Sequence, residues 1–279
     1  MMPYWTLAAL FLLSANASGA DSEYRLRYDV LLQPAERQAE VVLTLDQDRD
    51  LARHFCFRID PRRYADFDGD GAIVFEDDHV GWTPPKEGGR LTWTVVLTHK
   101  RNSSGYDGYV AEDWAVFRGD DLIPAATVRT LKGAESNAQL YFQLPDDWSV
   151  VTPYRREADG SFHVDHPDRR FDRPTGWIAA GKLGVRRDRV AGVAVAIAAP
   201  VDSGFRRQDT LAFLHWTLPE LKKVFPDFDT RLLVVGSGDP MWRGGLSGPA
   251  SLYLHADRPL ISENGTSTLL HELVHNALG

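Results

Sequence analysis

From Glu23 to about Leu144 apolar and polar residues alternate, and β-branched and aromatic types dominate the apolar positions. Tyr24-Arg25-Leu26-Arg27-Tyr28, Val41-Val42-Leu43-Thr44-Leu45, Leu91-Thr92-Trp93-Thr94-Val95-Val96-Leu97 and Gln139-Leu140-Tyr141-Phe142-Gln143-Leu144 each read as a strand. Between them lie Gly, Asp and Pro clusters, so the pattern predicts an antiparallel, sandwich-like β domain over 21–158. Residues 159–176 are polar and turn-rich and are expected to form a linker. Beyond it the pattern changes. Val190–Ala199 reads as an apolar strand, Asp209–Val224 carries leucines at helical spacing with Pro219 expected to kink or split it, and Arg231–Val235 and Ser251–His255 read as buried strands.

The last stretch, from Thr266 to Gly279, has the period of an amphipathic helix. Thr268, His271, Glu272 and His275 make a polar stripe, while Leu269, Leu270, Leu273, Val274 and Ala277 fall on the other side; Thr266 or Asn264 is the expected cap. Within it His271-Glu272-Leu273-Val274-His275 is H-E-x-x-H. Imidazoles four residues apart lie one above the other on a helix, so His271 and His275 can converge on one zinc ion with Glu272 as general base. Catalytic zinc sites of this kind take three protein ligands, and these histidines supply two. The position of the metzincin glycine is Leu278, which removes that branch. The other branch takes a Glu from a later helix. Either this sequence is the amino-terminal part of a longer protein, or the site is incomplete; Glu263, His255 and Asp257 are the nearest donors within it.

The β domain, the mixed sheet and Leu270-His271-Glu272-Leu273-Val274-His275 together resemble the glycyl aminopeptidase family of the gluzincin clan, and more distantly the large zinc aminopeptidases. That family carries Gly-Leu-Glu-His-x-x-Ser on an edge strand ahead of the zinc helix. Gly245-Leu246-Ser247-Gly248-Pro249-Ala250-Ser251 matches at the Gly, the Leu and the final Ser, but has Ser247 and Gly248 in place of the Glu and His. The resemblance implies an α+β protein in which the β domain precedes the first half, a mixed sheet plus active-site helix, of a zincin catalytic domain over 177–279. It implies zinc held by His271 and His275, with Glu272 taking a proton from the attacking water and passing it to the leaving amine. A peptide or protein substrate would lie on Gly245, Leu246 and Ser247, or be aligned by an edge strand around Ala250 to Leu254. In such aminopeptidases the strand Glu receives the free amino terminus of the substrate. Ser247 carries no charge, so selectivity for that terminus is not expected unless another acid, such as Glu263, substitutes.

Composition narrows the remaining choices. A chain of 279 residues with 43% hydrophobic positions can build one large or two medium cores, and a net charge of -8 argues against a nucleic-acid partner. Trp5 to Leu13 is a short apolar run followed by small residues, so 1–20 reads as a signal peptide, leaving a periplasmic or secreted protein with no transmembrane span. Cys56 is the single cysteine, and no internal disulfide is possible. Asp66-Phe67-Asp68-Gly69-Asp70-Gly71 resembles the start of a calcium loop, with Asp77 at its last position; an Asp/Gly-rich turn between strands is the other reading. His163 and His166 read as solvated loop residues. The rival to an enzyme is a non-enzymatic exported β-rich binding or scaffold protein with a degenerate zincin half.

Overall fold

The computed structural model describes residues 22–102, 105–165 and 170–278, so the proposed signal peptide and His166 lie outside the described residues. The chain is α+β, with three sheets around a first core and a fourth sheet carrying the two longer helices.

Alternation builds the first part. In Glu23–Gln33 the residues Tyr24, Leu26, Tyr28, Val30 and Leu32 are buried, while Arg25, Arg27 and Leu31 face solvent. Gln38–Asp46 repeats the pattern with Ala39, Val41, Leu43 and Leu45, and the two strands pair from Arg25↔Asp46 to Gln33↔Gln38. They lie in a seven-stranded sheet whose buried face shares a core with two smaller sheets. The four-stranded one contains Ala52–Arg58 and the edge strand Ala72–Glu76; the five-stranded one contains Trp114–Arg118 and Trp177–Gly181. One pairing departs from the antiparallel expectation. Glu23–Gln33 runs parallel to Glu135–Gln143, because the intervening chain makes the other strands first and returns from the opposite end.

The stretch expected as a linker is packed instead. Phe162–Val164 pairs with Glu135–Gln143, and Phe171 meets Phe55 and Phe57 edge-on at ring separations of 5.7 and 5.9 Å. Tyr28 donates its hydroxyl proton to the Asp172 carbonyl at 2.8 Å, and Tyr24 does the same to Arg170. A polar segment is thus strapped to the core by the rings of Phe162 and Phe171 and by its own backbone carbonyls, a use that composition does not reveal.

The strand Trp177–Gly181 joins the two parts. It pairs with Trp114–Arg118, turns Ile178 and Ala180 into the first core, and turns Trp177 and Ala179 toward the fourth sheet. That sheet runs Leu183–Val190, Val193–Pro200, Arg231–Ser237, Ser251–His255, Gly245–Gly248; its three central strands are parallel and its outer two antiparallel. The central strands are apolar on both faces. Leu232, Val234, Leu252 and Leu254 meet the helices, while Leu233, Val235 and Tyr253 meet Trp177 and the β part. The expected strand from Val190 to Ala199 is interrupted by a two-residue turn at Ala191-Gly192, both at positive φ as a tight hairpin demands.

Helix α1 is a single turn, Gly119–Leu122. Helix α2, Arg207–Val224, remains one helix with Pro219 inside it, so the expected split does not occur. It buries Leu211, Leu214 and Leu218 on the fourth sheet, and that apolar face holds the helix across the bond that proline cannot make. Helix α3, Thr268–Leu278, packs on the same face through Leu269 and Leu273. No helix among the described residues is long and apolar enough to cross a membrane.

Candidate metal centre

Helix α3 begins at a different cap from either of those expected. Ser267 accepts a hydrogen bond from the Leu270 amide at 3.2 Å, and its carbonyl takes the first helical bond from His271 at 3.0 Å. Thr266 and Asn264 instead bond each other and Ser262, closing the preceding loop. At the other end Asn276 donates to the Ser251 carbonyl at 3.0 Å, tying the helix to the central strand.

This anchoring fixes the histidines. His271 and His275 are exposed, with their Nε2 atoms 3.1 Å apart and their rings near perpendicular at 80°. Zinc–nitrogen bonds of about 2.0–2.1 Å at a tetrahedral angle separate two ligand nitrogens by about 3.3 Å, so the pair is close to the spacing one ion requires.

Glu272 is buried, one position round the helix, and lies against the edge strand. A Cβ on Gly245 would stand 2.7 Å from Glu272 Cγ and from Thr268 Cγ2, and 2.9 Å from Glu272 Oε1. Glycine is therefore what lets α3 close on the strand. Gly245→Ala is expected to force them apart at a cost of about 1–3 kcal/mol, read as a lowered urea midpoint; an unchanged midpoint would show that the contact yields freely.

The strand itself differs from one expectation. Ser251–His255 is internal, flanked on both sides, because the turn at Pro249-Ala250 folds Gly245–Gly248 back to take the edge. The His255 amide donates to the Gly244 carbonyl at 3.0 Å, so by alternation Gly245 and Ser247 turn their backbone groups away from the sheet. Leu246 faces the β part and receives the Trp177 indole N–H on its carbonyl at 2.9 Å. The structure thus brings Gly245 against Glu272 and leaves the amides of Gly245 and Ser247 along the free edge. Trp177, which holds this strand from behind, was not singled out by sequence; its place in an apolar run just after a polar segment was the available signal.

No group of three or more His, Cys, Asp or Glu able to hold a metal occurs among the described residues. The three suggested donors are elsewhere or engaged. His255 is buried, its Nδ1 accepts the Asp257 amide proton at 3.1 Å, its Nε2 lies 3.5 Å from Asp239, and burial holds its pKa below the usual range. Asp257 lies 3.6 Å from Arg243, and Glu263 is an exposed loop residue.

The calcium reading fails on geometry. Asp66 and Asp68 sit on the strand Tyr64–Gly69, Asp66 inside and Asp68 at the end of a register shift against Gly88–Val96. Asp66 accepts from the Thr94 hydroxyl at 2.8 Å, Asp70 from the Arg90 amide at 2.9 Å, and Asp77 lies in the next turn, beyond Ala72–Glu76. Pairing into strands spreads the carboxylates along a ribbon rather than wrapping them round a centre. His163, on Phe162–Val164, likewise belongs to a sheet.

No family model matches the chain, and no curated protein matches it. Solved structures do. An aminopeptidase N family protein from Idiomarina loihiensis superposes with a TM-score of 0.64 at 14% identity, over 86% of this chain and 45% of that one. The M1 zinc metallopeptidase from Deinococcus radiodurans, solved as a mutant, gives 0.53 at 17% identity, over 91% of this chain and 63% of that one. What the three share is the fold. This chain spans less than two thirds of either structure's length.

Proposed function

We propose that this chain carries the zinc-binding helix and substrate edge of a gluzincin-type metallopeptidase that hydrolyses peptide bonds. The observation that carries the reading is the convergence of the His271 and His275 Nε2 atoms on a helix whose intervening Glu272 is pressed against a free strand edge. The peptidase names of the two structural neighbours support it.

A peptide extended along Gly245–Gly248 would pair with the outward amides of Gly245 and Ser247, and its scissile bond would then pass beside Glu272. His271 and His275 fit zinc in donor type and spacing; no third His, Cys, Asp or Glu stands with them among the described residues, and the reading takes the third protein ligand from elsewhere. Zinc bound there supplies Lewis-acid polarisation of the scissile carbonyl. Glu272 accepts the proton of the attacking water on its carboxylate and returns it to the leaving amine. Export to the periplasm or medium, from Trp5 to Ala20, belongs to the same proposal.

Because Ser247 offers no carboxylate to a free amino terminus, a version of the protein extended to supply the third zinc ligand is expected to cleave acetyl-blocked peptides at least as fast as aminoacyl arylamides, with activity lost to a chelator and restored by zinc. Strict dependence on a free amino terminus would show that another acid holds it, and chelator-insensitive hydrolysis would remove the zinc reading. The lack of a third donor among the described residues favours a second reading, a non-enzymatic exported β-rich binding or scaffold protein, for which no hydrolysis appears under any metal condition.

A further inference from the structure

The Asp-rich stretch that does not form a calcium loop leads into a surface with a different use. Ala72–Glu76 ends the four-stranded sheet and, among the described residues, pairs on one side only, with His79–Thr83. The two strands are joined by Asp77-Asp78, and in a two-residue hairpin the flanking pair, Glu76 and His79, exchanges hydrogen bonds. Alternation then directs the amides of Ile73 and Phe75 to the open edge. Val74 is 55% exposed and Phe75 63%, on opposite faces of this strand. Phe75 leans edge-on against Phe67 at 6.2 Å, and Phe67 stacks on Trp93 at 5.9 Å, so the bare ring is held in place rather than free to fold away. Lys and Pro, which commonly blunt exposed edges, are absent from Ala72–Glu76.

Charge selects the occupant. Between Arg63 and Lys86 there are six carboxylates, Asp66, Asp68, Asp70, Glu76, Asp77 and Asp78, and no Lys or Arg. A second copy pairing antiparallel about Val74 would set Ala72 opposite Glu76 and Asp70 opposite Asp78, and a parallel copy would bring like carboxylates together, so self-association is opposed. We propose that Ala72–Glu76 is a docking edge for an extended segment of a different protein, with alternating apolar residues that cover Val74 and Phe75 and with Lys or Arg at both ends to meet the acidic flanks.

The test titrates the whole protein into a fluorescein-labelled peptide, Lys-Lys-Val-Thr-Val-Thr-Val-Lys-Lys, and reads anisotropy at low and high salt. Saturable binding is expected, weakened about tenfold or more by salt that screens the exposed charges. A version of the peptide with Glu in place of Lys should not bind. Val74→Lys with Phe75→Lys, exposed positions where the circular dichroism should stay unchanged, is expected to abolish binding. Asp77→Lys with Asp78→Lys is expected to weaken it while leaving the apolar residues in place. Absence of binding, equal binding of the Glu peptide, or equal binding by the Val74/Phe75 variant would overturn the proposal. A wild-type dimer that Val74→Lys dissociates would also overturn it, in favour of a second copy.

Discussion

Glu272→Gln, in a version of the protein extended to supply the third zinc ligand, is expected to lower peptide hydrolysis by about 10²–10⁴-fold while zinc affinity stays at the level of the unsubstituted protein. The amide keeps the shape of the side chain, so its place between α3 and Gly245 is preserved, but it cannot take up the proton of the attacking water. The separation of the two readouts follows from the structure. Glu272 is buried against the strand, whereas the two imidazoles that meet at Nε2 stand exposed on the helix. A variant that lost metal and activity together would make Glu272 a ligand, and one that kept its activity would place the base elsewhere.

Trp177→Ala is expected to cost about 3–5 kcal/mol of unfolding free energy, the range for emptying a large aromatic site in a packed core. Its ring is fully buried, lies 5.1 Å from that of Tyr253, and donates its indole N–H to the carbonyl of Leu246 on the edge strand. Loss of the indole therefore leaves a cavity between the two parts of the molecule and frees the strand that positions Gly245. Equilibrium urea denaturation followed by circular dichroism measures the loss. A change below about 1 kcal/mol would mean that the interface collapses around the gap, and that Trp177 does not hold the edge strand in place.

The parts of the fold that could be read from sequence are those in which a single strand or helix declares its own buried face. Ser251–His255 and the helix around His271 fall where their patterns place them, because apolar run and helical period are local properties. Pairing direction is not local. Nothing in the alternation of Glu23–Gln33 tells that its second neighbour is the parallel strand Glu135–Gln143, or that Gly245–Gly248 rather than Ala250–Leu254 forms the edge. Likewise the polar residues around Phe171 look like a linker until that ring is seen between Phe55 and Phe57. In the candidate site the i, i+4 spacing foretold that His271 and His275 share a face. The approach of Glu272 to Gly245 depends on how α3 settles on the sheet, and only packing supplies that.

Zinc affinity measured by competition with a chromophoric chelator, across the wild type, His271→Ala, His275→Ala and Glu272→Gln, tests the metal pair most directly. The 279-residue chain is expected to take up one zinc weakly and to lose it on gel filtration, since the described residues bring no third donor to the two imidazoles and a two-imidazole site holds the ion poorly. Either alanine variant should bind about tenfold or more weakly still, and Glu272→Gln should bind as the wild type does. Zinc binding unaffected by His271→Ala and His275→Ala would contradict the account, because the metal would then lie at some other place in the chain.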